Sequence, residues 1–139
     1  FTNRKAHKHF FSIQKQHGAV IAKGALIGLQ FEALFSPTNP NPSSREQGNT
    51  VLYYQLSEQA IRMAMRMKDI FKRKGFEFYV DSPTNQQFVI IDNEQAEKLS
   101  QRVQFTHFGQ TDRHHTICRF VTSWATTDEE IDELERILA

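Results

Sequence analysis

The chain has 139 residues, 39% apolar and 24% charged, with a formal net charge of +1. That length supports one domain with a real core. The near-neutral balance gives no electrostatic case for a nucleic-acid partner or an anionic membrane surface. The single cysteine, Cys118, has no internal disulfide partner and cannot build a cysteine zinc cluster. A reduced, cytoplasmic setting is the expectation that follows.

Phe1 to His9 is basic and polar, not the apolar run of a signal peptide, and the first residue is not Met. Such a start fits a processed or excised piece. Phe10 to Phe35 then reads as one long helix. From Ala19 to Phe35 it is apolar nearly all round, interrupted by Lys23, Gln30 and Glu32. It is too short and too charged for a bilayer span. A helix apolar on all sides is normally covered on all sides. A domain of this size covers one side, which leaves the other to a further domain or a second subunit. Gly24 and Gly28, one turn apart, permit close backbone approach. The plainer reading is a core helix in a compact bundle.

Ser36 to Asn49 reads as a loop, because Pro37, Pro40 and Pro42 break any helix. Thr50 to Lys74 reads as a second helix. Its stripe is Leu52, Leu56, Ala60, Met63, Met67 and Ile70. Lys72, Arg73 and Lys74 complement the helix dipole in the last turn, and Gly75 is placed to end the helix. The basic cluster therefore needs no nucleic acid to explain it. Phe76 to Val80 and Gln87 to Ile91 alternate as a hairpin around the turn at Ser82 to Asn85. Asn93 is expected to cap a short helix running to Ser100. Val103 to Phe108 and His115 to Ser123 read as two more strands, joined by a turn over Gly109 to Arg113. Thr127 and Glu130 form a capping box for a last helix with the stripe Ile131, Leu134 and Leu138. The expected fold class is α+β: an antiparallel sheet of three to four strands with helices on one face, preceded by a long linking helix.

Arg119 is the most informative residue for chemistry. It lies mid-strand, with Ile117 and Val121 on its own face and Cys118 and Phe120 on the other. A guanidinium in such a setting needs an anion. One candidate is an internal Asp or Glu. The other is a ligand carboxylate, which suits the planar fork of Arg better than the point charge of Lys. His107, His114 and His115, like His7 and His9, lack metal-ligand spacing, and no metal is expected. Asp128, Glu129 and Glu130 are explained by the helix N-terminus they occupy. Lys23 has an apolar neighbourhood that would suit a Schiff-base amine. However, no strand-to-loop junction or phosphate cradle precedes it, so a snorkelling or paired lysine is the simpler reading.

Three blocks carry a family resemblance. Gln16 to Phe31 (QHGAVIAKGALIGLQF) resembles the long linking helix of the threonine aldolase and aromatic amino-acid β-eliminating lyase family. Lys74 to Gln86 (KGFEFYVDSPTNQ) resembles its hairpin, and His115 to Thr127 (HTICRFVTSWATT) its last strand and helix cap. Together the blocks cover nearly the whole chain. The loop at 36–49 is longer than the family pattern.

The resemblance implies the small C-terminal domain of a fold-type-I enzyme dependent on pyridoxal 5'-phosphate (PLP). Residues 1–35 would then be the helix toward a large PLP domain, and residues 50–139 the small domain. It implies an amino-acid substrate, cleaved in threonine-aldolase fashion or by β-elimination, with PLP as electron sink. It also implies a homodimer or homotetramer. Arg119 matches the family's arginine for the substrate α-carboxylate. The Schiff-base lysine is expected upstream of Phe1, with no catalytic residue, bound cofactor or activity in this stretch alone. Two other readings compete. One is a non-catalytic interaction domain binding RNA through the basic N-terminal segment and the aromatic sheet. The other is an oligomerisation module built on Ala19 to Phe35.

Overall fold

The computed structural model describes residues 8–36 and 51–138. Nearly all of the loop expected over Ser36 to Asn49, and most of the basic segment Phe1 to His9, lie outside the described residues.

The segment expected as one helix is two. α1 (Phe10–Gln16) stops at Gly18, whose φ of +70° lies in the left-handed region. The Ala19 N–H reaches the Gln14 carbonyl at 2.9 Å, and the Gly18 N–H reaches that of Lys15 at 3.0 Å. This is a Schellman turn, which satisfies the last carbonyls of α1 and turns the chain aside. The helix resumes as α2 (Gly24–Phe35) after an irregular stretch. Apolar patterning ran through the break and hid it.

α3 (Leu52–Arg73) ends in the same way, in an exposed turn flanked by the core residue Phe71 and by Phe76 packed against the core. Gly75 has φ +82°, the Phe76 N–H bonds the Phe71 carbonyl at 3.0 Å, and the Gly75 N–H bonds that of Lys72 at 3.0 Å. The buried face of α3 is wider than the expected stripe, since Ala64, Lys68 and Phe71 join Ala60, Met63, Met67 and Ile70. Two adjacent rows at i, i+3 and i+4 make this face.

β1 (Glu77–Val80) and β2 (Gln86–Asp92) form the hairpin. α4 (Asn93–Ser100) follows directly. Its cap is Asp92, whose carboxylate accepts from the N–H groups of Glu94 and Gln95; Asn93, expected in that role, instead donates to the Arg113 carbonyl at 3.0 Å. β3 (Thr106–Gln110), β4 (His115–Val121) and α5 (Asp128–Ile137) complete the chain. The capping box at Thr127 and Glu130 is present as expected.

The sheet has four antiparallel strands in the order β1-β2-β4-β3. One face is packed by helices. Val89 and Ile91 of β2 and Cys118 and Phe120 of β4 meet Met63, Met67, Ile70 and Phe71 of α3, with Ala96 and Leu99 of α4 and Ile131 and Leu134 of α5. Burial of these apolar faces is the main stabilising term of the domain. Arg62 and Arg66 of α3 pair with Asp128, and Arg66 also with Asp132, which sets α5 along α3. The chain is thus α+β with its helices on one side of the sheet. The other face, carrying Phe88, Ile90, Ile117, Arg119 and Val121, has no helix over it.

Candidate anion-binding site

Arg119 sits at the middle of β4, one of the two inner strands. Antiparallel register places Phe88 of β2 opposite it on one side and Thr106 of β3 on the other. Strand alternation puts Arg119 on the open face with Ile117 and Val121, as its sequence neighbours suggest.

The side chain as a whole is half-buried, but its Nε is buried and has no hydrogen-bond partner. Among the described residues no carboxylate lies within ion-pair distance of its guanidinium. The carboxylates that are paired go to Arg62, Arg66, Lys68, Arg73, Arg102, His115 and Arg136. An unanswered buried donor costs about 1–3 kcal/mol, more when it belongs to a charged group. Such a cost is kept where an external acceptor repays it.

An aromatic pair stands beside the arginine. Phe88 and Phe108 meet at 4.9 Å between centroids, at an interplanar angle of 68°. Phe108 lies two residues after Thr106 and shares the open face by alternation; beside it the register shifts between His107, opposite Cys118, and Gly109, opposite Ile117. Phe108 is the extra residue of a bulge, which sharpens the local twist of β3. Nothing local in the sequence marks it, because the bulge exists only relative to β4.

A separate cleft of about 660 Å³ lies at the far end of β2, lined among others by Glu77, Asp92, Gln95, Asp112, His115 and Leu138. Arg119 does not line it. There His115 Nδ1 lies 2.9 Å from an Asp112 carboxylate oxygen, while the other accepts from the N–H groups of His114 and His115. The His114 N–H, and after it the His115 side chain, hold the Asp112 carboxyl below its ordinary value. This is the local geometry of a capped turn. His107 is separate, its Nδ1 3.5 Å from Thr116 Oγ1. Among the described residues no three His, Cys, Asp or Glu side chains are grouped to hold a metal.

Lys23 is exposed at the N-terminus of α2 and is not enclosed in an apolar pocket. Lys68 is the lysine that is buried, a position sequence reasoning missed although it falls on the Ala60–Ala64–Phe71 side of the stripe. Its ammonium donates to the Ser82 carbonyl at 2.9 Å and pairs with Asp81, whose carboxyl is held low by that hydrogen bond first. Neither lysine fits a Schiff-base role: one is solvated and the other is committed to structure. Burial pushes the Cys118 thiol up to about 11, which removes it as a nucleophile.

α2 buries none of its residues. Leu26, Leu29 and Phe31 are each about 60% exposed, and the apolar surface continues through Phe35, stacked on Tyr53 at 4.7 Å. A continuous apolar strip of this kind marks an interaction surface. No described helix is long and apolar enough to cross a membrane.

Among solved structures, the chain is similar to the threonine aldolase of Leishmania major, with a TM-score of 0.73 and 27% sequence identity. The match covers 95% of this chain and 36% of that one, so the chain spans about a third of that protein's length. No protein-family model matches the chain, and no curated protein sequence does. The chain has the fold of a fragment of a threonine-aldolase-like protein, matching its small α+β domain.

Proposed function

We propose that this stretch of threonine-aldolase-like fold is the C-terminal domain of a PLP-dependent amino-acid lyase, and that Arg119 binds the substrate carboxylate there. The observation that carries the reading is the buried, unpartnered Nε of Arg119 on a sheet face with no helix over it. A carboxylate accepts two parallel bonds from the guanidinium fork, and a strand holds that fork more rigidly than a loop. PLP, when bound in the intact enzyme, supplies the electron sink for cleavage or elimination. This chain's residues do other work: Arg119 orients the amino acid, and the apolar face around it keeps water away.

In this reading residues 1–35 connect toward a larger PLP-bearing domain upstream, and residues 50–139 form the small domain. The bare apolar surface of α2 supports a homo-oligomer or a large domain lying against it. The reaction is a threonine-aldolase-like cleavage or a β-elimination on an amino acid, in a cytoplasmic enzyme. The chain is nearly neutral, which favours a small anion over an RNA strand.

In the intact protein, Arg119→Ala should weaken amino-acid binding by about ten- to a hundredfold while the PLP absorbance band persists, since a charged hydrogen bond contributes about 1.5–3 kcal/mol. Unchanged amino-acid affinity would sink the assignment. The isolated chain should show neither a PLP band nor lyase activity. A stoichiometric covalent PLP adduct on Lys23 would overturn that expectation.

A further inference from the structure

We propose that the Phe88–Phe108 ring pair is a positioning device for Arg119, roofing β4 and keeping water off the Nε–H of its guanidinium until a carboxylate arrives. The inference rests on the reading of Arg119 as a carboxylate binder and adds what prepares it.

The sheet order carries the argument. β2 and β3 do not touch; β4 runs between them. Two strands separated by a third lie about 10 Å apart. Yet the rings of Phe88 and Phe108, one from each strand flanking β4, are 4.9 Å apart. They can meet only over β4. Phe88 is registered to Arg119, and the bulge at Phe108 is registered to Ile117. The roof therefore spans the Arg119–Ile117 step.

Two consequences of a roof are visible. Ile117 is only 4% exposed although it faces away from the helices and is not part of their core. The Arg119 Nε is buried without a partner in the same place. Phe108 itself is 54% exposed, on a strand whose every residue is exposed, so the ring is held there without a core to bury it. A donor stripped of water and left unpaired makes a stronger bond to an incoming anion than a solvated one. Neither ring touches the reacting atoms in this scheme; both act through Arg119.

The test uses the intact protein, with glycine as the carboxylate probe. Affinity is read by calorimetry, and the Arg119 Nε–H by its NMR signal and its exchange with water. Phe108→Ala is expected to weaken glycine binding by about three- to tenfold and to speed Nε–H exchange, given the usual strength of an aromatic pair. Phe108→Tyr, which keeps the ring, is expected to restore both. Phe88→Ala should repeat the effect from the other side. If Arg119→Ala weakens glycine binding but Phe108→Ala changes neither affinity nor exchange, the roof is refuted and the carboxylate site stands. A loss that Phe108→Tyr does not restore also refutes the roof. If Arg119→Ala itself leaves glycine affinity unchanged, both readings fall together.

Discussion

Phe71 and Phe76 meet edge to face, with 5.3 Å between ring centroids, across the turn that ends α3. They are the residues joined by the outer hydrogen bond of the Schellman turn, so one backbone bond and one ring contact close the same loop. Gly75 makes the turn possible at φ +82°.

Gly75→Ala should therefore destabilise the domain. A Cβ there meets nothing within 4 Å, so the cost is backbone strain alone, about 1–2 kcal/mol. Gly18→Ala has the same local cost at φ +70°. But α1 buries no residue, so its fraying does not enter global unfolding. Urea denaturation should show a lower midpoint for Gly75→Ala and an unshifted one for Gly18→Ala. Equal shifts would mean that α1 is part of the cooperative unit.

Thr127→Ala removes the cap of α5. The Thr127 hydroxyl accepts from the Glu130 N–H, and the Glu130 carboxylate accepts from the Thr127 N–H. Loss of such a cap costs about 1 kcal/mol. Thermal melting should fall by about 4 °C. Thr127→Asn, which keeps a capping oxygen, should recover most of it.

How much of this was legible beforehand depended on range. The α3 stripe, the stop at Gly75 and the box at Thr127 are spelled within a few residues, and each was readable. So was the mid-strand position of Arg119. Gly18 was misread because apolar residues continue beyond it, although His17-Gly18 after Lys15 has the same chemistry as Lys74-Gly75 after Arg73. Asp92 displaced Asn93 as a cap by one position, within the usual uncertainty of helix ends. Phe88 and Phe108 as neighbours of Arg119 were out of reach. Their meeting depends on strand order, with β4 between β2 and β3, which a single sequence does not encode locally.

Asp112 should titrate below the ordinary carboxylate value of 3.8, because the His114 N–H and the His115 side chain both favour its charged form. A carboxyl lowered by folding adds stability that is present above the unfolded pKa and is lost as pH falls through the folded one. The contribution of Asp112 should accordingly disappear only below about pH 4. Carbon-detected NMR of the Asp112 carboxyl reads the midpoint directly. A midpoint at or above 3.8 would contradict the capped-turn geometry.

Leu26 and Leu29 stand bare on α2. Replacing both with Lys removes no core contact, so stability should change by no more than about 0.5 kcal/mol. Association of the intact protein, followed by sedimentation, should weaken. Unaltered assembly would assign the contact surface to some element other than α2.

The bulge at Phe108 also acts on the rim of the sheet. β1 and β3 are its two outer strands, and each carries a register shift, between Phe78 and Val80 in one and between His107 and Gly109 in the other. An outer strand offers a row of unpaired amides on which a foreign strand can template. An inserted residue breaks the spacing of that row and increases its twist. Each border of this sheet is thus a poor seed for fibre growth.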